Sequence, residues 1–388
     1  MADKANITPN VLKWARASAR MSEETAAAKV HVSADKLKEW EEGKSQPTIK
    51  QAETLAKAYR RPFALFFLPE IPRDFQPLQD FRRNTAKPLG TASIFIIREI
   101  QQKQAWIRDV YEDNKETKRS FVGKYSLKDA PEIVANDILE TLNINPANYS
   151  TNPIKEWIDK SEANGIFISR TSFIHSHLKL DSEEFQGFAI ADPLAPFLFI
   201  NSDDWNAPQL FTLVHELAHL WIAETGISNE VDPAFKKEKM HPVELFCNEV
   251  AAAALMPISI IKNINASSFA SSKEIFKEAK NLGVSTFAFL VRAFNLKLIS
   301  LDNYKKLKEE ADKDFKAFLL QEEEKKAKQK GKEGGPNPYL LRLQKNSKLF
   351  TQIVLDAFRG GFIEPTQASS LLNTQVNNFS KLEALIYK

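Results

Sequence analysis

The sequence holds a single cysteine, Cys247, among 388 residues. One thiol excludes an internal disulfide framework and fits a reducing compartment, so we expect a cytoplasmic protein. No run approaches the roughly 18 apolar residues that indicate a membrane-spanning helix. The start Met-Ala-Asp-Lys also lacks the apolar core of a secretion signal. Neither a membrane partner nor export is therefore expected.

Excess charge of one sign is also small. Lys and Arg number 53 against 50 Asp and Glu, a formal net charge of +3, which is too little to predict a polyanion partner for the whole molecule. A hydrophobic share of 43% and a charged share of 27% are ordinary for a globular protein. The length exceeds that of one compact domain, so two or three domains are expected.

One short run carries the most chemistry. His215, Glu216 and His219 form an HExxH motif inside an apolar segment without Gly or Pro, which predicts a buried helix. Two histidines at i, i+4 lie on one helix face, about 5–6 Å apart at Cβ, so both rings can reach one tetrahedral Zn²⁺. Glu216 projects toward a water activated by that metal and is the predicted general base of a zinc peptidase. The alternative is a pair of core histidines hydrogen-bonded to carbonyl groups.

A catalytic zinc needs a third protein ligand and one open position. The longer motif with a third histidine is excluded, because Ile222 and Thr225 stand at the positions of its Gly and His. Downstream, Glu244 and Asn248 are spaced i, i+4 in an Ala-rich run that follows Pro242 and favours a helix. Glu244 is the predicted third ligand, and Asn248 is predicted to hydrogen-bond one of the histidines. The rival ligands are His241 and Cys247.

Four segments together resemble the ImmA/IrrE metallopeptidases, bacterial enzymes associated with cleavage of DNA-binding repressors. They are residues 187–190, residues 196–201, the run FTLVHELAHL and the run ELFCNEVAAAALMP. The second motif of the family resembles E-x-x-A-N-x-F-A-A-x-L-L-M-P, in which Glu244 takes the ligand position and Asn248 the Asn position. This chain departs from it at Cys247, Val250 and Ala254, all small or apolar substitutions. The resemblance spans about residues 160–260 and implies limited proteolysis of a regulator.

A small sheet is expected beside the zinc helix. Residues 165–170 are typical of a buried strand, and residues 185–191 and 196–201 of a hairpin. An exposed strand edge could hold an extended substrate, or the sheet could only support the helix; the sequence does not decide. His175, His177 and Arg170 are candidates for oxyanion stabilisation, and the alternative is that each is an ordinary surface residue.

The N-terminal region predicts a helix-turn-helix. Ser22 and Ser33 are capping residues of two short helices separated by the turn Val30-His31-Val32. Residues 40–48, with Trp40, Gly43 and Pro47, resemble the end of an Xre/Cro-type repressor domain. The predicted DNA contacts are Ser33, Asp35, Lys36, Lys38 and Lys44.

The charge of this region leaves open a second interpretation, in which the N-terminal domain does not bind DNA. Residues 1–69 hold twelve basic and eight acidic side chains, a net charge of +4, which is modest for a DNA-binding domain. Glu39, Glu41 and Glu42 dilute the basic face. Such modules also serve as docking or dimerisation units.

The rest of the chain is predicted to be mainly helical. Helices are expected over 92–112, 131–142, 153–163, 271–281, 285–293 and 303–330, the last with a solvated mixed-charge face. The final 50 residues are predicted to form a helical unit that caps or gates the peptidase, and a second nucleic-acid module is the alternative. The predicted domains are 1–69 (helix-turn-helix), 70–150 (helical connector), 151–300 (peptidase), 301–338 (charged helix and linker) and 339–388 (C-terminal helices).

The sequence therefore predicts a mostly helical α+β protein with a central zincin-like domain. The predicted function is a cytoplasmic zinc endopeptidase that cleaves a regulatory protein such as a repressor and binds double-stranded DNA through its N-terminal domain. A transcriptional regulator or antitoxin whose zinc domain senses a ligand, with little proteolysis, is the alternative. Self-cleavage in the Pro-rich connector is a third possibility.

Overall fold

The computed structural model describes residues 3–75, 77–81, 87–149, 152–175, 178–228, 241–329 and 337–387. The chain divides into two compact units. Unit 1 contains Met1–Pro77, Lys87–Gln102 and Phe173–Glu184, and unit 2 contains Leu78–Ala86, Lys103–Ser172 and Phe185–Lys388. None of the helices in the described ranges has the length and apolarity needed to cross a membrane.

Unit 1 begins with four short helices, as the capping residues predict. They are α1 (Pro9–Ser18), α2 (Glu23–Lys29), α3 (Ala34–Glu41) and α4 (Ile49–Tyr59), followed by a 3-10 turn at Phe63–Phe67. The Ser22 and Ser33 hydroxyls accept hydrogen bonds from the third residue of α2 and α3, which satisfies backbone donors that a helix leaves unpaired. His31 takes a positive φ of 54° between them, so the chain turns sharply from α2 into α3.

A buried ion pair fixes α3 against α1. Arg16 donates to both carboxylate oxygens of Glu41, at 2.7 and 2.8 Å, and Glu41 is 5% exposed. This bidentate geometry uses the planar guanidinium fully. Glu41 therefore has a structural role within unit 1.

The remainder of unit 1 comes from two distant parts of the chain. Helix α5 (Thr91–Asp113) begins in it, and the short antiparallel strands β3 (Phe173–His175) and β4 (Leu178–Lys179) follow later. Gly90 N and the Ser93 hydroxyl both donate to the Glu184 carboxylate. Glu184 thus caps the start of α5, where the helix dipole favours a negative charge.

Unit 2 is built on a mixed five-stranded sheet with strand order β1-β7-β5-β6-β2. Its strands are β1 (Gln79–Asp80), β2 (Phe167–Thr171), β5 (Gly187–Ile190), β6 (Phe197–Asn201) and β7 (Gly226–Ser228). The predicted hairpin is confirmed, because β5 and β6 pair antiparallel. β7 also pairs antiparallel with β5, whereas β1–β7 and β2–β6 are parallel. Both hairpin strands are thus paired on both sides, and the sheet edges are β1 and β2.

Four helices form the core of unit 2 with this sheet. They are α6 (Pro131–Leu142), α7 (Pro153–Ala163), α8 (Asn206–Trp221) and α9 (Pro242–Leu255). Every α8 residue from Gln209 to Trp221 is buried, because α8 contacts β5 and β6 on one side and α6, α7 and α9 on others. An α-helix with no solvated face needs an apolar sequence, as residues 209–221 have.

The C-terminal part of unit 2 is helical, as predicted. It comprises α10 (Ile258–Ile261), α11 (Ser272–Leu282), α12 (Thr286–Asn295), α13 (Leu301–Gln329), α14 (Pro338–Asn346), α15 (Lys348–Arg359), α16 (Pro365–Leu372) and α17 (Phe379–Ile386). Short 3-10 turns occur at Ala266–Phe269 and Val376–Asn378. Helices α14 and α15 pack on β2, at the opposite end of the strand order from β1 and β7. The last helices therefore cap the β2 edge of the sheet.

One buried carboxylate anchors these helices. Glu162, at the end of α7, accepts hydrogen bonds from the Ser347 hydroxyl (2.6 Å) and from Lys348 N (2.9 Å) at the start of α15. Burial raises the pKa of Glu162 to about 7. Lys103 also donates from α5 to Asn346 Oδ1 at 2.8 Å, in a buried contact.

Candidate metal centre

Helix α8 places both histidines of the motif on one face. The Nε2 atoms of His215 and His219 are 3.1 Å apart, and both rings and the Glu216 side chain are fully buried. This is the arrangement that i, i+4 spacing predicts for a helix.

Helix α9 brings Glu244 to the same point. Its Oε2 lies 3.3 Å from His215 Nε2, and its Oε1 lies 3.2 Å from His219 Nε2. Asn248, one turn later, has its Oδ1 2.9 Å from His215 Nδ1. With Nδ1–H donating to Asn248, the lone pair of His215 Nε2 faces the histidine–glutamate cluster.

The three side chains fit a zinc ion. In the described part of the chain, one donor atom from each of His215, His219 and Glu244 lies within 4.8 Å of the others. Tetrahedral ligands at Zn–N and Zn–O distances of 2.0–2.2 Å are about 3.3–3.6 Å apart. The two Nε2 atoms are 3.1 Å apart, and each lies 3.2–3.3 Å from its nearer Glu244 oxygen. Two nitrogens and one carboxylate oxygen are also the donor set of catalytic zinc, which leaves a fourth position open.

Protonation at this cluster follows from burial and charge. Burial by itself would raise the pKa of Glu244, but the charges and hydrogen bonds of the two histidines outweigh it and lower the pKa to about 2. Glu244 is therefore an anion and suited to bind a cation. Burial raises the pKa of Glu216 to about 8, which brings this carboxyl near the range of a general base at neutral pH.

Two side chains of this cluster carry buried polar atoms without a hydrogen-bond partner among the described residues, the Glu216 carboxylate and His219 Nδ1. In Glu216 this holds for both carboxylate oxygens. The Ser228 hydroxyl is close enough to lower its pKa slightly, yet Ser228 donates to Glu244 Oε1 at 3.3 Å. A buried, unpaired carboxylate is costly, and such a group beside a metal cluster is suited to receive a proton.

The rival ligands lie outside the cluster. Cys247 is fully buried in the core, and burial raises the pKa of its thiol well above the ordinary value, so the thiol stays neutral. His241 caps α9, and its Nδ1 accepts a hydrogen bond from Val243 N at 3.3 Å. Neither side chain belongs to the group of donors that could hold a metal.

Three further residues complete the surroundings of the cluster. Ser228 Oγ lies 3.2 Å from His219 Nε2, and the Phe81 ring stacks on the His219 ring with centroids 5.5 Å apart. Gly187 faces Glu216, where an added Cβ would lie 2.6 Å from Oε1. The glycine lets α8 approach strand β5. Only Gly187 gave a signal in the sequence, as part of the family resemblance.

Of the three oxyanion candidates, Arg170 has a side chain that the structure describes. Arg170, on β2, donates to Gln209 Oε1 at 3.4 Å. The His175 side chain and all of His177 lie outside the part of the chain that the structure describes.

The predicted DNA-contacting residues lie at and after the turn of unit 1. Ser33 caps α3, so its hydroxyl already accepts a hydrogen bond from Lys36 N. Asp35 and Lys38 are exposed on α3. Lys36 pairs with Glu39 and Lys44 with Glu42, each at 2.6 Å. Of the three predicted lysines, two thus form exposed ion pairs with neighbouring glutamates.

Family comparisons agree with both motifs. Residues 162–294 match the peptidase M78 family model described as the IrrE N-terminal-like domain. Residues 12–66 match a helix-turn-helix family model. No curated protein matches the chain. The first match contains the whole His215–Asn248 cluster and the second contains α2 and α3. The chain therefore contains a segment similar to helix-turn-helix domains and a segment similar to the ImmA/IrrE, or M78, peptidase family.

Proposed function

We propose that the chain is a zinc-dependent endopeptidase that cleaves a regulatory protein such as a transcriptional repressor. The observation that carries the proposal is the unpartnered carboxylate of Glu216 beside the His215–His219–Glu244 cluster. A purely structural zinc site has no use for a buried general base. The M78 match supports a metallopeptidase.

The roles of the residues follow from their positions. His215, His219 and Glu244 would hold Zn²⁺, which supplies a Lewis acid that activates water and polarises the scissile carbonyl. Glu216 accepts the proton of the attacking water and delivers it to the leaving amine. Asn248 holds the His215 ring in the tautomer whose Nε2 faces the cluster.

The N-terminal domain would direct the enzyme to its substrate. A helix-turn-helix that binds double-stranded DNA would concentrate the peptidase near a DNA-bound regulator. A cytoplasmic location is part of this proposal, because that is where such a substrate acts.

Replacement of Glu216 by Gln tests the peptidase. The Glu216→Gln protein should keep zinc by metal analysis and lose cleavage of its target by at least about 10²-fold, the usual contribution of a general base. Glu224→Gln, just past the same helix, is the matched control and should cut normally. The target is sought by trapping binding partners on the Glu216→Gln protein. Wild-type cleavage by that variant contradicts the proposal.

One observation favours a second candidate function, a regulator whose zinc domain senses a ligand. His215, Glu216 and His219 are 0% exposed, and full burial suits a sensor as well as a closed enzyme. Co-expression with neighbouring regulators separates the two, since only the peptidase releases a defined fragment.

A further inference from the structure

Strand β1 occupies the sheet edge that adjoins the metal centre. It pairs with β7 in parallel, with Gln79 opposite Gly226 and Asp80 opposite Ile227. β7 ends at Ser228, whose hydroxyl contacts both His219 and Glu244. The edge of β7 thus runs directly past the site.

Strand β1 is short, and one deeply buried side chain follows it directly. The strand has two residues, both exposed, and Phe81 N donates the next hydrogen bond, to Ile227 O at 3.2 Å. Phe81 itself is 2% exposed. A buried aromatic ring contributes a large apolar contact to the attachment of this short segment.

The space that Phe81 fills is shaped for an aromatic ring. Its ring stacks on His219 and lies 5.2 Å from the His241 ring, centroid to centroid. Gly226 lies against the Phe81 ring, and a Cβ added at this position would lie 2.2 Å from the ring and 2.7 Å from Gln79 O. Only glycine at 226 admits this ring and this strand together.

We propose that the β7 edge is the peptide-binding edge of the site, and that Gln79–Phe81 is its resident occupant. An extended substrate segment with an aromatic side chain exchanges with it, placing its own ring in the space between Gly226, His219 and His241. Backbone pairing with a sheet edge supplies affinity, and the side-chain space supplies specificity. The inference rests on the proposed peptidase function of the same site. The chain thereby restrains its own centre until a substrate displaces the strand.

Hydrogen exchange tests whether the strand occupies the edge. The Phe81 amide should be protected in the wild-type protein, and Gly226→Ala should accelerate its exchange at least about tenfold, because the new Cβ overlaps the Phe81 ring. Gly360→Ala is the matched control, since the nearest atoms there belong to the exposed Phe362 ring. Equal exchange of the Phe81 amide in wild-type and Gly226→Ala proteins overturns the proposal.

Peptide binding tests whether the occupant can be exchanged. A fluorescent peptide of sequence Pro-Leu-Gln-Asp-Phe, residues 77–81, is titrated against the folded full-length proteins. It should bind Phe81→Ala at least about tenfold more tightly than wild type, because the vacated space gains a buried ring. Phe75→Ala, which removes a partly exposed phenylalanine of the same connector, should behave as wild type.

Two further titrations make the result specific. The peptide with Phe81→Ala should not bind, and the double variant Phe81→Ala/Gly226→Ala should not bind the intact peptide. Equal binding to wild type and Phe81→Ala, or none to a folded Phe81→Ala protein, contradicts the exchange. Zinc content and cleavage by the wild-type protein are measured separately. A wild-type protein without zinc or cleavage would contradict the proposed peptidase function. It would not contradict the exchange of the strand, because neither hydrogen exchange nor peptide binding requires zinc or cleavage.

Discussion

At the residue scale, the orientation of His215 depends on one amide. Asn248 is the hydrogen-bond partner of His215 Nδ1, at 2.9 Å. Asn248→Ala should lower zinc affinity about 10–100-fold, because a ligand histidine without this partner loses its fixed ring orientation and some basicity. Competition with a chromogenic chelator measures this. Asn263→Ala, on an exposed turn, is the control, and equal zinc affinity of Asn248→Ala and wild type would rule out the orienting role.

A second residue-scale prediction concerns the glycine that faces the general base. A Cβ at position 187 would lie 2.6 Å from Glu216 Oε1 and 3.0 Å from the backbone oxygen of Phe199. Gly187→Ala should therefore displace Glu216 and slow cleavage about 10²-fold, within the range attributed to a general base. Zinc content should stay normal, since Gly187 touches no predicted ligand. Full activity with Ala at 187 would show that Glu216 tolerates movement.

At the element scale, the junction of α7 with α15 should respond to pH. Burial raises the pKa of Glu162 from 4.5 to about 7, so between these values the folded chain binds this proton more tightly than the unfolded chain. The contribution of Glu162 to the free energy of unfolding is then greatest at low pH and falls, by up to about 3 kcal/mol, as pH rises through this window.

Replacement of Glu162 isolates that contribution. Glu162→Gln should gain stability relative to wild type between pH 4.5 and pH 8, as denaturant unfolding at both values would reveal. The exposed Glu364→Gln, at the start of α16, should show no such gain. A constant difference between Glu162→Gln and wild type across the range would mean that Glu162 titrates normally.

The elements also show why some of this protein could be predicted from sequence. His215, Glu216 and His219 share one helix, and Glu244 and Asn248 share another, so local periodicity predicted both sets. Helices α6 and α7 begin and end at the predicted residues, because Pro131 and Pro153 start them. The sequence did not predict that Ser228 and Phe81 lie at the site, because β1 and β7 are too short to show the alternating pattern of a strand. Their pairing joins segments far apart in the chain, which periodicity cannot reveal.

At the scale of the whole molecule, DNA binding should depend on few charges. The formal net charge is only +3, and Lys36 and Lys44 are paired with glutamates. Lys38 is then the predicted lysine most available to a phosphate. Lys38→Ala should weaken binding to duplex DNA and reduce the slope of log affinity against log salt by about 1. Lys277→Ala, in the peptidase part, is the control; the absence of salt-dependent binding to any duplex would assign unit 1 to protein docking.

The pairing of β1 with β7 joins segments that are synthesised far apart in time and should form late in folding. Gln79 leaves the ribosome long before its partner Gly226, and closing a loop of about 150 residues makes such a pairing slow compared with local contacts. Strands β5, β6 and β7 can pair with one another while the outer edge of β7 is still bare. Unpaired strand edges attract other chains, so a truncated peptidase domain lacking residues 79–81 should be the form most prone to aggregate.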